Sequence, residues 1–429
     1  MPAGVTEAQA LLRGDRAAAV RLAGKLLQPL NDNFVERPWG GLGMRVFKGL
    51  SASSNARIGE AFEISADDSD GEARRYPSSI RLADGSTLSL PSLLAVHGET
   101  LLGAEFVARH GKRWPLLPKT LAVAELLSVQ AHPAGNTEVY VIIAADEGAT
   151  IRLGFSTDVD GAAFEASSAA GRRLQQRLLE LCGAALDADA LQDLLKPWLA
   201  ARAATTSALE PGMRPGLGER WDEAASVLRA LHDLYWEVLD LMNEIQVTPG
   251  QVIYNATPPA VAAVRGCARS AEVHALGNTE GREILALEIR KPGPTFRAWD
   301  NVRFPLREVD AAAAIAALNL KRTEPAEFVA PRRAIPGRPG VTCSVDSEDY
   351  RLEHLEPTAL ASVDVPATEP HSLHTLAGAV TVYATDGTVV GRLARGDSAL
   401  VPIGVGAYRV AADLEPAAVL KAGLAARGR

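Results

Sequence analysis

Along this 429-residue chain the apolar positions switch between two periods, and the switches divide it into blocks. Residues 7–27 set Ala and Leu at helical spacing among arginines and predict one amphipathic helix. Alternation with period two then runs through 56–65, 79–90, 121–131, 138–144 and 150–155, predicting short strands. Asp84-Gly85 lies inside the second stretch and predicts a hairpin turn. From 160 to 245 the period becomes helical. Leu174, Leu178 and Leu181 form one stripe, and Leu191, Leu194, Leu195 and Trp198 a second. Trp221, Ala224, Ala225, Leu228, Leu231, Tyr235, Val238 and Met242 form a third. Such stripes predict a helical block with its own core, broken by the prolines Pro211 and Pro215. Strand texture resumes at Ile245 and fills 249–258, 272–277 and 283–291. Residues 325–345, rich in proline and arginine, predict a linker. Beyond it come short strands at 377–385, 388–393 and 399–403. The run GDSALVP at Gly396 echoes PGQVIY at Gly250, a repeated step of glycine turn and strand. The repetition predicts two related β-domains flanking or enclosing the helical one.

Length alone implies two or three domains, and 47% apolar with 22% charged residues is ordinary globular composition. A net charge of -8 speaks against nucleic acid or an anionic membrane as partner. Cys182, Cys267 and Cys343 are far apart and read as reduced thiols. No stretch has the roughly 18 uninterrupted apolar residues of a membrane span, and the first 27 residues lack the apolar core of a secretion leader. A cytoplasmic protein is expected.

Only eight histidines occur, so their placement carries information. The stretch LSVQAHPAGNTEVYVI predicts a hairpin in which Gln130 and His132, two apart, share a strand face. Turn residues Pro133 to Asn136 would return the chain with Glu138 on that same side. An amide oxygen, an imidazole and a carboxylate converging in this way suit a divalent metal. His274, in the strand-like EVHALG, can complete a four-ligand nitrogen and oxygen site.

At these residues the chain resembles type I phosphomannose isomerase, a family of the cupin superfamily. ERPWGG (36–41) is similar to that family's Trp-Gly-Gly segment, and IGEAFEIS (58–65) to its Gly-Glu strand. LLPKTLAVAELLSVQAHP (116–133) resembles its most specific signature, running from a lysine to Gln-x-His-Pro. EVHALG and the downstream ILALEIRKPGPTFRAWDNVR (284–303) resemble its His-Ala strand and arginine segment. The likeness covers 30–305, with weaker motifs at 350–425. It implies a mainly β fold of two cupin-type jelly-roll barrels with a helical insertion. The corresponding division is an N-terminal helix at 1–29 and a catalytic cupin at 30–160 plus 246–325. A helical domain at 161–245 and a C-terminal cupin at 326–429 complete it.

The resemblance further implies an isomerase converting mannose 6-phosphate to fructose 6-phosphate through an enediolate. Its implied metal ligands are Gln130, His132, Glu138 and His274, holding one Zn²⁺ per chain. Arg297 would lie in the active site, gripping enediolate or phosphate, and Lys119 and Ser128 would lie near the substrate. Glu288 matches an acidic position lining the pocket and is the first candidate for proton transfer, with Asp300 behind it. A cupin isomerase for another sugar phosphate, or a non-catalytic sugar-binding cupin, are the alternatives.

Two departures from the family pattern stand out. The connection between Gln-x-His-Pro and Glu138 is only 134–137, with Asn136 where the family carries a lysine. AVAAVRGCARSA intervenes before His274, an insertion. Elsewhere, His371 and His374 form a weak metal candidate with Glu369, and the acidic run from Asp67 to Glu72 reads as a solvated loop.

Overall fold

Two antiparallel sheets face each other across the first barrel. The computed structural model describes residues 5–51, 56–67, 71–183, 187–265, 269–366 and 369–425. One sheet orders its strands Phe34–Gly41, Ile58–Phe62, Lys119–Val123, Ile284–Arg290, Glu138–Ala145 and Val252–Asn255. The other orders Phe296–Trp299, Val129–Ala131, His274–Ala275, Thr150–Phe155 and Met242–Gln246. Strand parity sorts the side chains. Leu121, Val123, Tyr140, Ile142, Ile284 and Ala286 point inward and meet Ile151, Leu153 and Ile245 of the opposite sheet. Their alternates Val139, Val141, Leu287 and Ile289 point outward into a second core shared with helices. Both faces of the six-stranded sheet are therefore buried, and Ile284–Arg290 has no exposed residue. This explains its near-continuous apolar reading, ILALEIR, in which Glu288 and Arg290 are the exceptions.

Helices cover both outer faces. Glu7–Leu12, Arg16–Ala23 and Leu90–Leu102 lie on the six-stranded sheet, in a core that also takes in Leu400 and Leu420 of the C-terminal region. Gly161–Cys182, Ala188–Ala200 and Trp221–Asp240 bury the predicted leucine stripes against Val129, Ala275 and Trp299 of the five-stranded sheet. The helix Gly161–Cys182 comes close because Gly171 lacks a side chain. A Cβ there would stand 2.3 Å from the Trp299 ring. In the C-terminal region a six-stranded and a four-stranded sheet enclose their own apolar interior, including Leu355, Leu373, Val380 and Val419. Among the described residues no helix is long and apolar enough to cross a membrane.

Several local expectations are corrected. The predicted helix at 7–27 is two helices, because Gly14 adopts φ +90° and Asp15 caps the second through its side chain. Residues 90–110, predicted as nothing in particular, form the helices Leu90–Leu102 and Ala104–His110. The pair Pro211 and Pro215 sits within the helix Glu210–Leu217, Pro211 in its first turn where no amide donor is needed. The expected linker at 325–345 contains Arg333–Ala334, which pairs with Val341–Asp346 in the C-terminal sheet. Above all, Val129–Ala131 and Glu138–Ala145 are not a hairpin. They belong to opposite sheets, and a turn closed by Asn136 N–H on the Pro133 carbonyl carries the chain across the barrel. Cys267 and residues 68–70 of the acidic run lie outside the described residues.

Candidate active site

Two rows of side chains line the inner face of the six-stranded sheet. In one, Asn255, Glu138 and Arg290 are direct cross-strand neighbours. In the next, Tyr140, Glu288, Lys119 and Phe62 are. On the facing sheet Arg297, Gln130 and His274 form a third row. His132 follows the end of its strand at the crossing between the sheets, so it meets Glu138 from the opposite side.

The rows converge on Glu138. His132 Nε2 lies 2.5 Å from Oε1 of Glu138, and His274 Nε2 lies 3.4 Å from Oε2. All three side chains are buried, and the rings of the two histidines stack with centroids 5.2 Å apart. His132 Nδ1 lies 3.2 Å from the Pro294 carbonyl and His274 Nδ1 2.9 Å from the Glu272 carbonyl. Carbonyls only accept, which assigns the proton to Nδ1 of His132, and to Nδ1 of His274 with Asn255 Nδ2, 3.1 Å from that nitrogen, donating to Glu138 instead. Each Nε2 then presents a lone pair to a carboxylate oxygen. The close approach of His132 Nε2 to Glu138 is accordingly not aligned as a hydrogen bond, and that buried nitrogen is left without a hydrogen-bond partner. Leaving such an atom unsatisfied costs about 1–3 kcal/mol. Lone pairs turned toward one another in a buried pocket are what a shared cation resolves, and the ligand atoms lie within 4.8 Å of one another. The residues fit a divalent metal.

Neighbours fix the carboxylate. Tyr140 O–H donates to Glu138 Oε2, and Asn255 Nδ2 donates to the same oxygen at 3.3 Å. Asn255 Oδ1 in turn accepts from the Glu272 amide at 2.8 Å. Burial opposes ionisation of Glu138; when their Nε2 atoms carry a proton, His132 and His274 hold its carboxyl well below the usual range, and Arg290 pulls the same way. Burial pushes the His274 imidazole down, toward its neutral form. Ionised carboxylate and neutral imidazole are the metal-binding protonation states.

Beside this cluster lies a network of charges. Lys119 Nζ is 3.5 Å from Glu60, 3.5 Å from Glu288 and 3.6 Å from Glu72. Arg290 Nε is 2.9 Å from Glu288 and 3.9 Å from Glu138, while its Nη2 donates to Glu72 at 3.0 Å. Arg37 Nε donates to Glu60 at 2.6 Å. Burial disfavours a charge on Lys119, but Glu288, Glu72 and Glu60 outweigh it and raise the pKa, keeping the ammonium charged. Burial pushes the Glu288 carboxyl up, against the pull of Lys119.

Of the residues singled out from sequence, His132, Glu138 and His274 meet directly, and Lys119 and Glu288 meet beside them. Gln130 stands opposite both His274 and Arg297, its amide donating to Ser128 Oγ at 3.0 Å. Arg297 is half-buried and its Nε has no hydrogen-bond partner. Asp300 is taken up by Arg307, whose Nε donates to it at 3.0 Å. His371 and His374 do not form a metal pair. Three apart on one strand, they face opposite sides, and His374 is satisfied by Ser398 and Ser372. The acidic run is no solvated loop at either end. Asp67 is buried beside Arg113, and Glu72 reaches Lys119 and Arg290. Sequence reasoning gave no role to Arg37, Glu72, Tyr140 or Asn255, and considered Arg290 only as a partner of Glu288, which it is. For Tyr140 and Arg290 the signal was parity with Glu138 and Glu288 on their strands.

Solved structures decide the fold. A mannose 6-phosphate isomerase from Bacillus subtilis superposes with TM-score 0.58 at 18% identity, covering 93% of this chain and 99% of that one. A variant of phosphomannose isomerase from Salmonella typhimurium gives 0.59 at 13% identity, covering 94% and 100%. The chain has the phosphomannose isomerase fold. A mannose 6-phosphate isomerase bound with zinc and yttrium is similar over 94% of the chain, at TM-score 0.57 and 13% identity. No family model matches the sequence, and no curated protein matches it. The likeness to these solved structures therefore lies in the fold, at 13% to 18% identity.

Proposed function

We propose that this chain is a metal-dependent aldose–ketose isomerase that interconverts mannose 6-phosphate and fructose 6-phosphate. The observation that carries the reading is Glu138 set between two imidazole lone pairs, beside a buried lysine–glutamate network. Gln130, His132, Glu138 and His274 would hold one Zn²⁺ per chain. When bound, the ion supplies Lewis-acid polarisation of the sugar oxygens and stabilises negative charge developing on them.

The chain's own residues supply the rest. A proton must pass between C1 and C2 of the sugar through an enediolate. Glu288 is our candidate to carry it, because it is buried beside the metal-type cluster and burial makes its carboxylate a stronger base than an exposed one. Lys119, held as an ammonium, orients Glu288 and offers charge to the substrate. Arg297 presents an unpartnered Nε from the facing sheet, suited to the enediolate oxygens or the phosphate. The enclosed barrel interior limits water, which protects an enediolate from side reactions.

The test is an assay of mannose, glucose and ribose phosphates side by side, with chelation and re-addition of zinc. The reading expects mannose 6-phosphate to be converted, the activity to vanish with chelator and to return with metal. Turnover confined to another aldose phosphate would reassign the substrate, and no metal-dependent turnover of any would sink the enzyme reading.

A further inference from the structure

Three cations converge on one carboxylate at the edge of the site. Glu72 is reached by Arg290 Nη2 at 3.0 Å, Lys119 Nζ at 3.6 Å and Arg37 Nη2 at 3.8 Å. Each of the three also has a partner of its own. Glu60 serves Arg37 and Lys119, and Glu288 serves Lys119 and Arg290. Glu60 and Glu288 answer only two of the three cations, and the remaining neighbour of Arg290, Glu138 at 3.9 Å, faces the two histidines. Glu72 is also the outermost of the three carboxylates, its side chain 31% exposed against 8% for Glu60 and 6% for Glu288. Its backbone belongs to the five-residue helix Gly71–Arg75 and not to a barrel strand. A glutamate side chain rotates about three bonds, so this carboxylate can turn to solvent while the barrel stays still. The cations cannot follow it. Lys119 and Arg290 are buried on barrel strands, and Arg290 Nη1 is tied to the carbonyls of Lys291 and Gly293 at 3.1 Å.

We propose that Arg37, Lys119 and Arg290 form an oxyanion subsite, that Glu72 fills it as an internal substitute, and that a phosphoryl group displaces Glu72 on binding. Planar guanidinium groups beside an ammonium match the oxygens of a phosphate monoester. Arg290 joins this subsite to the metal-type cluster, since its Nε also approaches Glu138. A ligand anchored by its phosphate at Glu72's place would therefore extend toward His132 and His274. Naming that ligand a sugar phosphate rests on the isomerase reading, but the subsite itself does not.

Titration calorimetry with inorganic phosphate separates the two. Glu72→Gln removes the internal competitor without changing size, and phosphate should bind it about tenfold more tightly than wild type. Adding Arg37→Gln should abolish the gain. In the isomerase assay Glu72→Gln should lower KM for mannose 6-phosphate by a larger factor than it changes kcat. Glu72→Asp, which keeps the charge on a shorter arm, should bind phosphate with intermediate affinity and serves if the amide variant folds poorly. Equal or weaker phosphate binding by Glu72→Gln, or a gain that survives loss of Arg37, would overturn the subsite. A tenfold gain in a protein with no isomerase turnover would support it and sink the isomerase reading alone. Turnover with no gain in phosphate affinity would do the reverse.

Discussion

The two barrels bury similar chemistry and treat it in opposite ways. In the C-terminal barrel every buried histidine is capped by a hydroxyl. His371 Nε2 meets Tyr408 Oη at 2.6 Å, His374 meets Ser398 and Ser372, and His354 meets Ser344 at 2.8 Å. Its buried acid, Glu353, is matched by Arg338, Arg351 and Lys421. In the first barrel His132 and His274 instead face a carboxylate that cannot donate to them. Buried imidazoles met by hydroxyls are structure, whereas imidazole lone pairs turned on a carboxylate mark a site waiting for a ligand.

Breaking the first interior should cost function, and breaking the second should cost stability. The largest effect is expected for Glu138→Gln, which keeps the side chain's size and should lower isomerase turnover by roughly 1000-fold at almost unchanged melting temperature. His371→Ala should retain full turnover but lose about 2–3 kcal/mol of stability, since it leaves a cavity and strands the buried Tyr408 hydroxyl. Chemical denaturation of both variants checks the pair. If His371→Ala abolished turnover in a folded protein, the contrast between the barrels would fail.

An intermediate effect tests the residues that hold Glu138. Tyr140→Phe and Asn255→Ala should each weaken zinc binding by about 10- to 100-fold, as read by competition with a metal-binding dye. Unchanged affinity in both would mean that Glu138 needs neither neighbour. Arg297→Ala should keep the metal and lose most turnover. Equal loss of both would make Arg297 structural.

The smallest effect is on pH dependence. Burial holds His371 down to about 3, His374 to about 4 and His354 to about 3, against an ordinary 6.5. The unfolded chain therefore takes up protons first as the pH falls. The stability that comes from keeping these rings neutral is complete above about pH 6.5 and drains away toward pH 3–4. Melting temperature should fall across that window, and His371→Gln should flatten the slope. A slope identical to wild type would remove His371 from the explanation.

The asymmetry also explains what was legible beforehand. His132, Glu138 and His274, which the fold brings together, were readable from the scarcity of histidine and from the motif resemblance, whereas Gln130 as a ligand stays a proposal. The hairpin was not, because a tight turn reads the same whether it returns within one sheet or crosses to the other. Glu72 was hidden inside an acidic run whose bland meaning is solvation, and only the fold brings it to Lys119. Arg290 and Tyr140 needed the knowledge that both faces of their sheet are buried, so that an interior exists for them to face. The C-terminal strands escaped partly because proline and arginine at 325–345 mask a real strand pair. Local pattern reported the ligand types, and long-range packing decided which of their neighbours matter.

The claim on which this account rests is that a single divalent ion belongs between His132, Glu138 and His274. Elemental analysis of protein loaded with zinc and dialysed tests it directly. One zinc per chain is expected in wild type and in His371→Ala, and none in His132→Ala. Wild-type protein that holds no stoichiometric metal, or His132→Ala that retains it, would contradict the account.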